Sequence, residues 1–221
     1  MKTVVAFDIY GTLIDTHGVV SLLQKIVGDQ ARLFSQTWRD KQLEYSFRKG
    51  LMKCYQPFSV CTAEALEYTC RIMQTSLSQD EKHRLLNQYS ALPCFDDVVD
   101  GLQSLRDTHT LVAFSNGEIS AVNGLLERAG IGNFFVQVVS ADEIKTFKPD
   151  PKIYHYLLER TNSTPENTWL ISSNPFDVIG ARAVSINTAW VKRNNAMVFD
   201  PWELKPSVIV DSLSKLSSTI K

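Results

Sequence analysis

The chain has 221 residues, of which 44% are hydrophobic and 21% charged, and its formal net charge is -1. A chain of this length buries a full core as one large domain or as a domain with a smaller insertion. The near-zero net charge gives no electrostatic basis for binding nucleic acid or an anionic membrane surface, so partners have to be inferred from local sites.

The cysteines and the N-terminal residues bear on the cellular compartment. The four cysteines are Cys54, Cys61, Cys70 and Cys94. They form no CxxC pair and have no His at zinc spacing, which predicts free thiols in a reducing cytosol. Asp8 interrupts the first apolar run before a signal-peptide core or a membrane span is complete. We therefore expect a cytoplasmic protein that is not bound to a membrane.

The first predicted element is a strand, Val4 to Phe7, that ends in Asp8. An all-apolar strand is typical of a parallel sheet buried on both faces, and open α/β sheets place their ligands at the carboxyl ends of such strands. Gly11 and Thr12 then form a turn whose N–H groups can point at an anion. Asp8 is therefore a candidate reactive carboxylate, with a cap or turn former as the alternative interpretation.

Residues 17–92 have helical periodicity and almost no β-branched runs. This pattern predicts a helical unit inserted into a core domain that is formed by residues 1–16 and 93–221. Further helices are predicted over 63–73 and 79–92, where Pro93 ends the series. Two apolar stripes mark the earlier helices, one of Leu22, Leu23, Ile26 and Val27 and one of Phe34, Trp38, Leu43 and Phe47.

Helices and strands alternate after Pro93. The predicted strands cover 111–114, 135–139, 168–171, 187–191 and 208–210, and the predicted helices cover 97–106, 121–129, 151–160 and 178–184. This alternation predicts an α/β fold with a parallel sheet and right-handed crossovers.

Polar groups follow the predicted strands at one edge of the sheet. Besides Asp8 they are Ser115 and Asn116, Lys148, and Ser172, Ser173 and Asn174 with Asp177. Each has a structural alternative: a helix cap, a glycine turn, a surface lysine or an acid in a first helical turn. Next to Asp8, however, the ammonium of Lys148 would hold the carboxylate ionised and orient it. The joint occurrence of these groups at successive strand ends favours a catalytic site.

The motifs resemble those of the haloacid dehalogenase superfamily over essentially the whole chain. Similarity is closer to the L-2-haloacid dehalogenase branch, through the segments Phe7 to Leu13, Trp38 to Tyr45, Ser115 to Gly117, Lys148 to Asp150 with Tyr154, and Ser172 to Asn174 with Asp177. The resemblance implies a Rossmann-like core with a helical cap. In the superfamily's phosphatases an acid two residues after the nucleophile protonates the leaving group and carboxylates hold magnesium. Tyr10 stands at that position and cannot be that acid at neutral pH, so no metal or other cofactor is expected.

The resemblance implies hydrolytic dehalogenation of a small halogenated carboxylic acid, from short-chain (S)-2-haloacids to (R)-2-hydroxyacids. Asp8 would displace the halide from carbon 2 by SN2 attack, and water would cleave the resulting ester. Asp177 would orient or deprotonate this water, with Ser172 and Asn174 positioning it and Lys148 holding both carboxylates.

Binding contacts also follow from the resemblance. The substrate carboxylate would rest on Ser115 and on the N–H groups of Ile9 and Tyr10, while Arg39 and Asn116 would receive the halide. A solvated helix residue is the alternative interpretation of Arg39. A guanidinium stays protonated, so it can stabilise a developing halide charge without acid chemistry.

Four further positions concern the surroundings of these groups. Thr12 and Tyr154 are implied to support the nucleophile and Lys148 by hydrogen bonds, and Tyr154 and Phe176 are placed among the substrate-binding residues. Phe176 stands where an indole ring is common, and Asp40 stands where an uncharged amide is common. Both departures bear on substrate size and halide preference, and Asp40 turned inward would oppose an anionic substrate.

Alternatives to this assignment remain open at the level of sequence. A magnesium-dependent phosphatase of the same superfamily would use the same Asp, Ser, Lys and Asp set, and a non-catalytic binding protein could retain the fold. The resemblance also implies a homodimer formed through the helical insertion. The apolar stripes with Trp38 and Tyr45 are compatible with that interface, but packing within one chain explains them equally well.

Overall fold

The protein's structure, a computed structural model, describes residues 2–220. Its strands are β1 (Val4–Asp8), β2 (Thr110–Ser115), β3 (Gln137–Ser140), β4 (Thr168–Ser172), β5 (Asn187–Val191) and β6 (Val208–Val210). They form a parallel sheet in the order β3-β2-β1-β4-β5-β6. The predicted α/β fold is confirmed. The chain winds outward in opposite directions from β1, so the carboxyl ends of β1 and β4 flank the crevice where such sheets bind ligands.

The helices fall into two groups. Between β1 and β2 lie α1 (Val20–Val27), α2 (Ala31–Leu51), α3 (Phe58–Ile72), α4 (Gln79–Tyr89) and α5 (Val98–Leu105). The later helices are α6 (Ile119–Arg128), α7 (Pro151–Thr161), α8 (Pro175–Ala183) and α9 (Leu216–Thr219). Helices α1 to α4 make up the helical insertion, in which α2 packs along α3, whereas α6, α7 and α8 are crossovers between parallel strands. The domain boundaries at 17 and 92 stay a prediction.

The insertion leaves and rejoins the core at adjacent points beside the end of β1. Ile14 forms an antiparallel bridge with Cys94, and the Phe95 amide donates to the carbonyl of Leu13 at 3.0 Å. The segment that leaves the core and the segment that returns to it are thus paired with each other beside the end of β1. This pairing anchors the insertion next to Asp8.

The core has a layer on each face of the sheet, because successive side chains of a strand point to opposite faces. Val5 and Phe7 of β1 pack on the side that continues into the insertion, where Trp38 is fully buried. Ala6 packs on the other side with Phe114, against α7. One hydrophobic core therefore joins the insertion to the sheet.

Several predicted boundaries are wrong for local reasons. Helix α3 begins at Phe58 rather than at 63, with Pro57 as its N-cap. Helix α8 begins at Pro175 rather than at 178, because proline suits a helix's first turn. Strand β3 begins at Gln137 rather than at 135, after a short 3-10 turn. The early start of α8 places Asp177 in its first turn. None of the helices in residues 2–220 is long and apolar enough to cross a membrane.

Candidate active site

The Asp8 carboxylate, 7% exposed at the end of β1, accepts hydrogen bonds on both oxygens. Oδ2 accepts from the hydroxyl of Thr12 at 2.7 Å, the hydroxyl of Ser172 at 3.2 Å and the side-chain amide of Asn174 at 2.7 Å. Oδ1 accepts from Nζ of Lys148 at 2.9 Å. Groups predicted from separate strand ends therefore converge on one carboxylate, and they bond its two oxygens unequally.

Lys148 is a buried cation, 1% exposed, with all three of its donor positions used. Nζ donates to Asp8 Oδ1 and to Asp177 Oδ2, both at 2.9 Å, and to the carbonyl of Phe114 at 3.0 Å. Burial lowers the pKa of Lys148, but attraction to the Asp177 and Asp8 carboxylates outweighs burial and raises the pKa above its ordinary value. The ammonium is therefore a fixed positive charge between two carboxylates.

Asp177 is fully buried in the first turn of α8. Its Oδ1 accepts from the hydroxyl of Tyr154 at 2.8 Å, and burial raises its pKa despite the opposing effect of Lys148. The prediction that Tyr154 supports Lys148 is wrong, because the Tyr154 hydroxyl donates to Asp177 instead. Gly180 makes this contact possible, since a Cβ there would overlap the tyrosine ring.

The turn after β1 depends on Gly11, whose φ of +84° strains any other residue. The hydrogen bonds inside the turn use the amides of residues 11–14. The amides of Ile9 and Tyr10 take no part in these bonds. The resemblance assigns the Ile9 and Tyr10 amides to the substrate carboxylate, and that assignment stays a prediction.

Ser115 is the last residue of β2 and Asn116 follows it, and the acceptor atoms of both side chains are already engaged. The Ser115 hydroxyl oxygen accepts from the Gly117 amide at 3.0 Å, and Asn116 Oδ1 accepts from the Lys148 amide at 2.8 Å. These bonds leave the hydroxyl hydrogen of Ser115 and the amide hydrogens of Asn116 as donors. Both side chains line the pocket above Asp8, so the site presents donors to an anion.

Arg39 projects from α2 into the same pocket and is held on two sides. Nη1 donates to Gln42 Oε1 at 2.7 Å, and Nη2 donates to the carbonyl of Tyr10 at 3.3 Å. Gln42 is itself fully buried, accepts from the Tyr89 hydroxyl at 3.2 Å and donates to Thr62 at 2.5 Å. Arg39 is therefore oriented within the site, and its interpretation as a solvated helix residue is wrong.

Residues of the core and of the insertion together form the pocket. Its volume of about 10 Å³ is enough for about one water molecule. It is lined by Asp8, Tyr10, Arg39, Leu43, Phe58, Ser115, Asn116, Lys148, Asn174 and Phe176. A larger cavity of about 190 Å³ lies beside it and shares the rings of Tyr10 and Phe58 as walls. Tyr154 is not among the residues that line this pocket, and its placement among substrate contacts stays a prediction.

Tyr10 belongs to an aromatic wall. Its ring centroid lies 6.0 Å from that of Phe58 and 6.1 Å from that of Tyr89. Burial raises the pKa of the Tyr10 hydroxyl well above its usual value. The Tyr10 hydroxyl therefore keeps its proton at neutral pH and cannot replace a catalytic carboxylic acid.

The two departures from the family pattern have simple structural outcomes. Asp40 is exposed and accepts from Gln36 at 2.8 Å on the outer face of α2, so its charge faces solvent. Phe176 packs edge-on against Phe47, with 5.0 Å between ring centroids. Phe176 thus both lines the pocket and joins α8 to α2.

Three residues at the site are not predicted from the sequence to be site residues. Gln42 orients Arg39, and Leu43 and Phe58 line the pocket. Gln42 lies three positions after Arg39 on a predicted helix, so their spacing could have indicated the contact. Phe58 gave no such signal, because the predicted α3 began after it.

Carboxylates near Asp8 do not form a metal cluster. Within the described residues 2–220, no group of three or more His, Cys, Asp or Glu side chains is arranged to hold a metal ion. Asp8 and Asp177 are instead bridged by the Lys148 ammonium. Magnesium is held by carboxylates and water in near-octahedral geometry, which differs from this arrangement.

Comparisons with known proteins agree with this geometry. Residues 2–185 match the family model described as haloacid dehalogenase-like hydrolase. The chain is 32% identical over 217 residues to (S)-2-haloacid dehalogenase 2 of Pseudomonas sp. (strain CBS-3), covering 98% of this chain and 94% of that protein. It is 35% identical over 190 residues to haloacetate dehalogenase H-2 of Moraxella sp. (strain B), covering 86% and 85%.

A solved structure is similar over the whole chain. The L-2-haloacid dehalogenase from Xanthobacter autotrophicus, with chloropropionic acid covalently bound, has a TM-score of 0.92 at 28% identity, covering 99% of this chain and 98% of that one. A Rossmann-like parallel sheet with a strand-end aspartate and a helical insertion is the α/β architecture of the haloacid dehalogenase-like hydrolases. The chain belongs to the haloacid dehalogenase-like hydrolase family, in its L-2-haloacid dehalogenase branch.

Proposed function

We propose that this enzyme hydrolyses short-chain (S)-2-haloacids to (R)-2-hydroxyacids. The observation that carries the proposal is the unequal bonding of Asp8, with three donors on Oδ2 and the Lys148 ammonium on Oδ1. This arrangement suits a carboxylate that attacks through one oxygen and is then hydrolysed as an ester. Lys148 supplies the positive charge that this chemistry needs.

In the first step Oδ1 of Asp8 attacks carbon 2 from the side opposite the halogen. The new C–O bond forms as the carbon–halogen bond breaks, the halide leaves with the bonding electrons, and the carbon is inverted. Oδ1 is the attacking oxygen because it holds a single hydrogen bond, to Lys148, and keeps a lone pair for the substrate. Oδ2 is already occupied by its three donors.

The substrate brings a second carboxylate close to Asp8, which the site has to offset. Two like charges about 4 Å apart repel by roughly 4 kcal/mol at an effective dielectric of 20. The Ser115 hydroxyl and the amides of Ile9 and Tyr10 bind the substrate carboxylate in this proposal. Lys148 neutralises part of the remaining charge.

Arg39 and Asn116 receive the departing halide. Replacing Arg39 by lysine is expected to lower kcat for (S)-2-chloropropionate about 10²-fold, since loss of a donor to developing charge costs that order. The loss should be smaller for 2-bromopropionate, because bromide is the better leaving group. Halide release from both acids measures the ratio of the two rates. The exposed Arg32→Lys on the same helix is the control, and an unchanged ratio in Arg39→Lys would contradict the role.

In the second step water attacks Cγ of Asp8, and Oδ2 becomes the oxyanion. Thr12, Ser172 and Asn174 already donate to this atom, so we assign them to an oxyanion hole, and Ser172 and Asn174 no longer need to position the water. Asp177 accepts the proton of the water, since its raised pKa makes it a stronger base than an ordinary aspartate. The tetrahedral intermediate then breaks its Cγ–Oδ1 bond, and the departing alkoxide takes the proton held by Asp177 to become the hydroxyacid. Asp8 releases its remaining proton to solvent and returns to the carboxylate form.

Halide release from each enantiomer of 2-chloropropionate, with a chelator present, tests the function. Turnover of the (S) acid with formation of (R)-lactate supports it, and turnover of neither enantiomer overturns it. The phosphatase alternative is not favoured by the relatives or by the Lys148 bridge. Magnesium-dependent hydrolysis of p-nitrophenyl phosphate that is lost in Asp8→Asn would restore it.

We also propose a homodimer formed through the helical insertion. Trp38 is buried within its own chain, so it is not available to an interface. Other apolar side chains of α2, α3 and the residue after α2 are exposed, namely Leu33, Leu51, Met52 and Ile72. Light scattering is expected to give about twice the chain mass of 24.9 kDa. The mass of a single chain, or a dimer that persists in Leu51→Glu/Ile72→Glu, would contradict this interface.

A further inference from the structure

We infer that Arg193, held by Asp97, is a positioning residue that fixes the Thr12 turn and thereby the Asp8 nucleophile. Arg193 lies just beyond β5 and belongs to none of the motifs that the sequence singled out. The inference rests on the proposed function, in which Asp8 attacks the substrate. It concerns a residue outside the pocket.

The guanidinium of Arg193 binds the backbone of Thr12. Nε and Nη2 donate to the Thr12 carbonyl at 3.1 and 2.6 Å. The hydroxyl of the same threonine donates to Asp8 Oδ2 at 2.7 Å and accepts from the Ser173 amide at 2.8 Å. Thr12 is thus held by Arg193 at its carbonyl while its side chain holds the nucleophile.

Asp97 fixes the guanidinium in turn. Nη1 of Arg193 lies 2.8 Å from both carboxylate oxygens of Asp97, and Asp97 Oδ2 also accepts from the Ser212 hydroxyl at 3.0 Å and the Leu213 amide at 2.8 Å. The Arg193 side chain is 10% exposed. A pair this well bonded and this little exposed holds one geometry more firmly than a surface ion pair does.

The Arg193–Asp97 pair lies where the helical insertion joins the core, so it can hold the end of β1. The guanidinium stacks on Phe95, 4.2 Å from the ring centroid, and the Phe95 amide donates to Leu13. Arg193 therefore ties β5 to both connections of the helical insertion. It holds the end of β1 in place where the insertion is anchored.

A double-mutant cycle with Thr12 separates positioning from simple support of the fold. Arg193→Met is expected to lower kcat for (S)-2-chloropropionate by roughly 10- to 100-fold with little change in KM, because misplacing a reacting group by about 1 Å costs up to about 10²-fold. In a Thr12→Val background the same change is expected to have little further effect, because the link to Asp8 is already broken. Arg193→Lys, which keeps the charge, replaces Arg193→Met if that variant does not fold.

Arg182→Met is the matched control. Arg182 is a half-buried arginine of α8 that bonds Ile186 and Ser207 and has no link to Asp8. The Arg182→Met substitution is expected to lower Tm without changing kcat per folded molecule. Equal losses from Arg193→Met in both backgrounds, or a lower Tm with unchanged kcat, would overturn the inference.

Hydrogen exchange tests the same inference without any substrate. The amides of residues 11–14 should exchange faster in Arg193→Met than in Arg182→Met, and equal exchange would overturn the positioning role. If the wild type releases no halide from either enantiomer, the proposed function fails while this measurement still decides the role of Arg193. The two failures are therefore distinguishable.

Discussion

Replacing Asp8 by alanine is expected to lower kcat for (S)-2-chloropropionate by at least about 10⁴-fold, which corresponds to about 5.5 kcal/mol of transition-state stabilisation. The variant has no atom that can form the ester. Lys148, Thr12 and Asn174 serve the Asp8 carboxylate as hydrogen-bond donors. None of them replaces Asp8 as the nucleophile. Initial rates of halide release at saturating substrate measure the loss.

The matched control for this prediction is Asp40→Asn. Asp40 is exposed, and its carboxylate bonds Gln36 rather than the pocket, so the wild-type kcat is expected. The same control tests whether the unusual acid beside Arg39 affects the substrate. Activity in Asp8→Ala within about 10²-fold of the wild type would contradict a nucleophilic role, because loss of a nucleophile costs far more than this.

Replacing Lys148 by methionine is expected to destabilise the protein by about 3–5 kcal/mol, the cost of removing one partner of a buried ion pair. Methionine fills a similar volume but leaves Asp8 and Asp177 buried without their shared cation. Urea unfolding measures the loss. The exposed Lys145→Met is the control and is expected to stay within about 0.5 kcal/mol of the wild type.

The loss in Lys148→Met should also depend on pH. Burial already raises the pKa of Asp177, and removal of the ammonium raises it further. A carboxyl group whose pKa is higher in the folded state binds protons preferentially there, so the folded state is favoured at low pH and loses stability as pH rises through the folded pKa. Urea unfolding at an acidic and at a mildly alkaline pH should therefore show a smaller deficit of the variant at the acidic value and a larger one at the alkaline value. An equal deficit at both pH values would contradict this account.

The fold was predictable because its signals are local. The apolar strand before Asp8 and the alternation after Pro93 each depend on neighbouring residues, and together they define a parallel sheet with helical crossovers. The start of α8 was misplaced because Phe176 and Asp177 after Pro175 resemble a loop as much as a first helical turn. Helix α9 is four residues long, too short for a periodic signal.

The site was predictable only in part, for a physical reason. The rule that parallel strands end at one edge correctly brings Asp8, Ser115 and Lys148 together. It does not say which atom a side chain contacts. The hydroxyl of Tyr154 was assigned to Lys148, but the close approach allowed by Gly180 directs it to Asp177. The contact between Arg193 and Thr12 joins residues that are remote in sequence and have no common motif.

One turnover in ¹⁸O-enriched water, with enzyme in excess over (S)-2-chloropropionate, tests the central claim most directly. If Asp8 forms an ester and water then attacks its Cγ, the lactate takes its new oxygen from Asp8 and the solvent oxygen remains in the carboxylate. Mass spectrometry of the peptide that contains Asp8 should therefore show the label, while the lactate of this first turnover carries none. Label in the lactate with none on Asp8 would mean that water attacks carbon 2 directly, and would contradict the proposed mechanism.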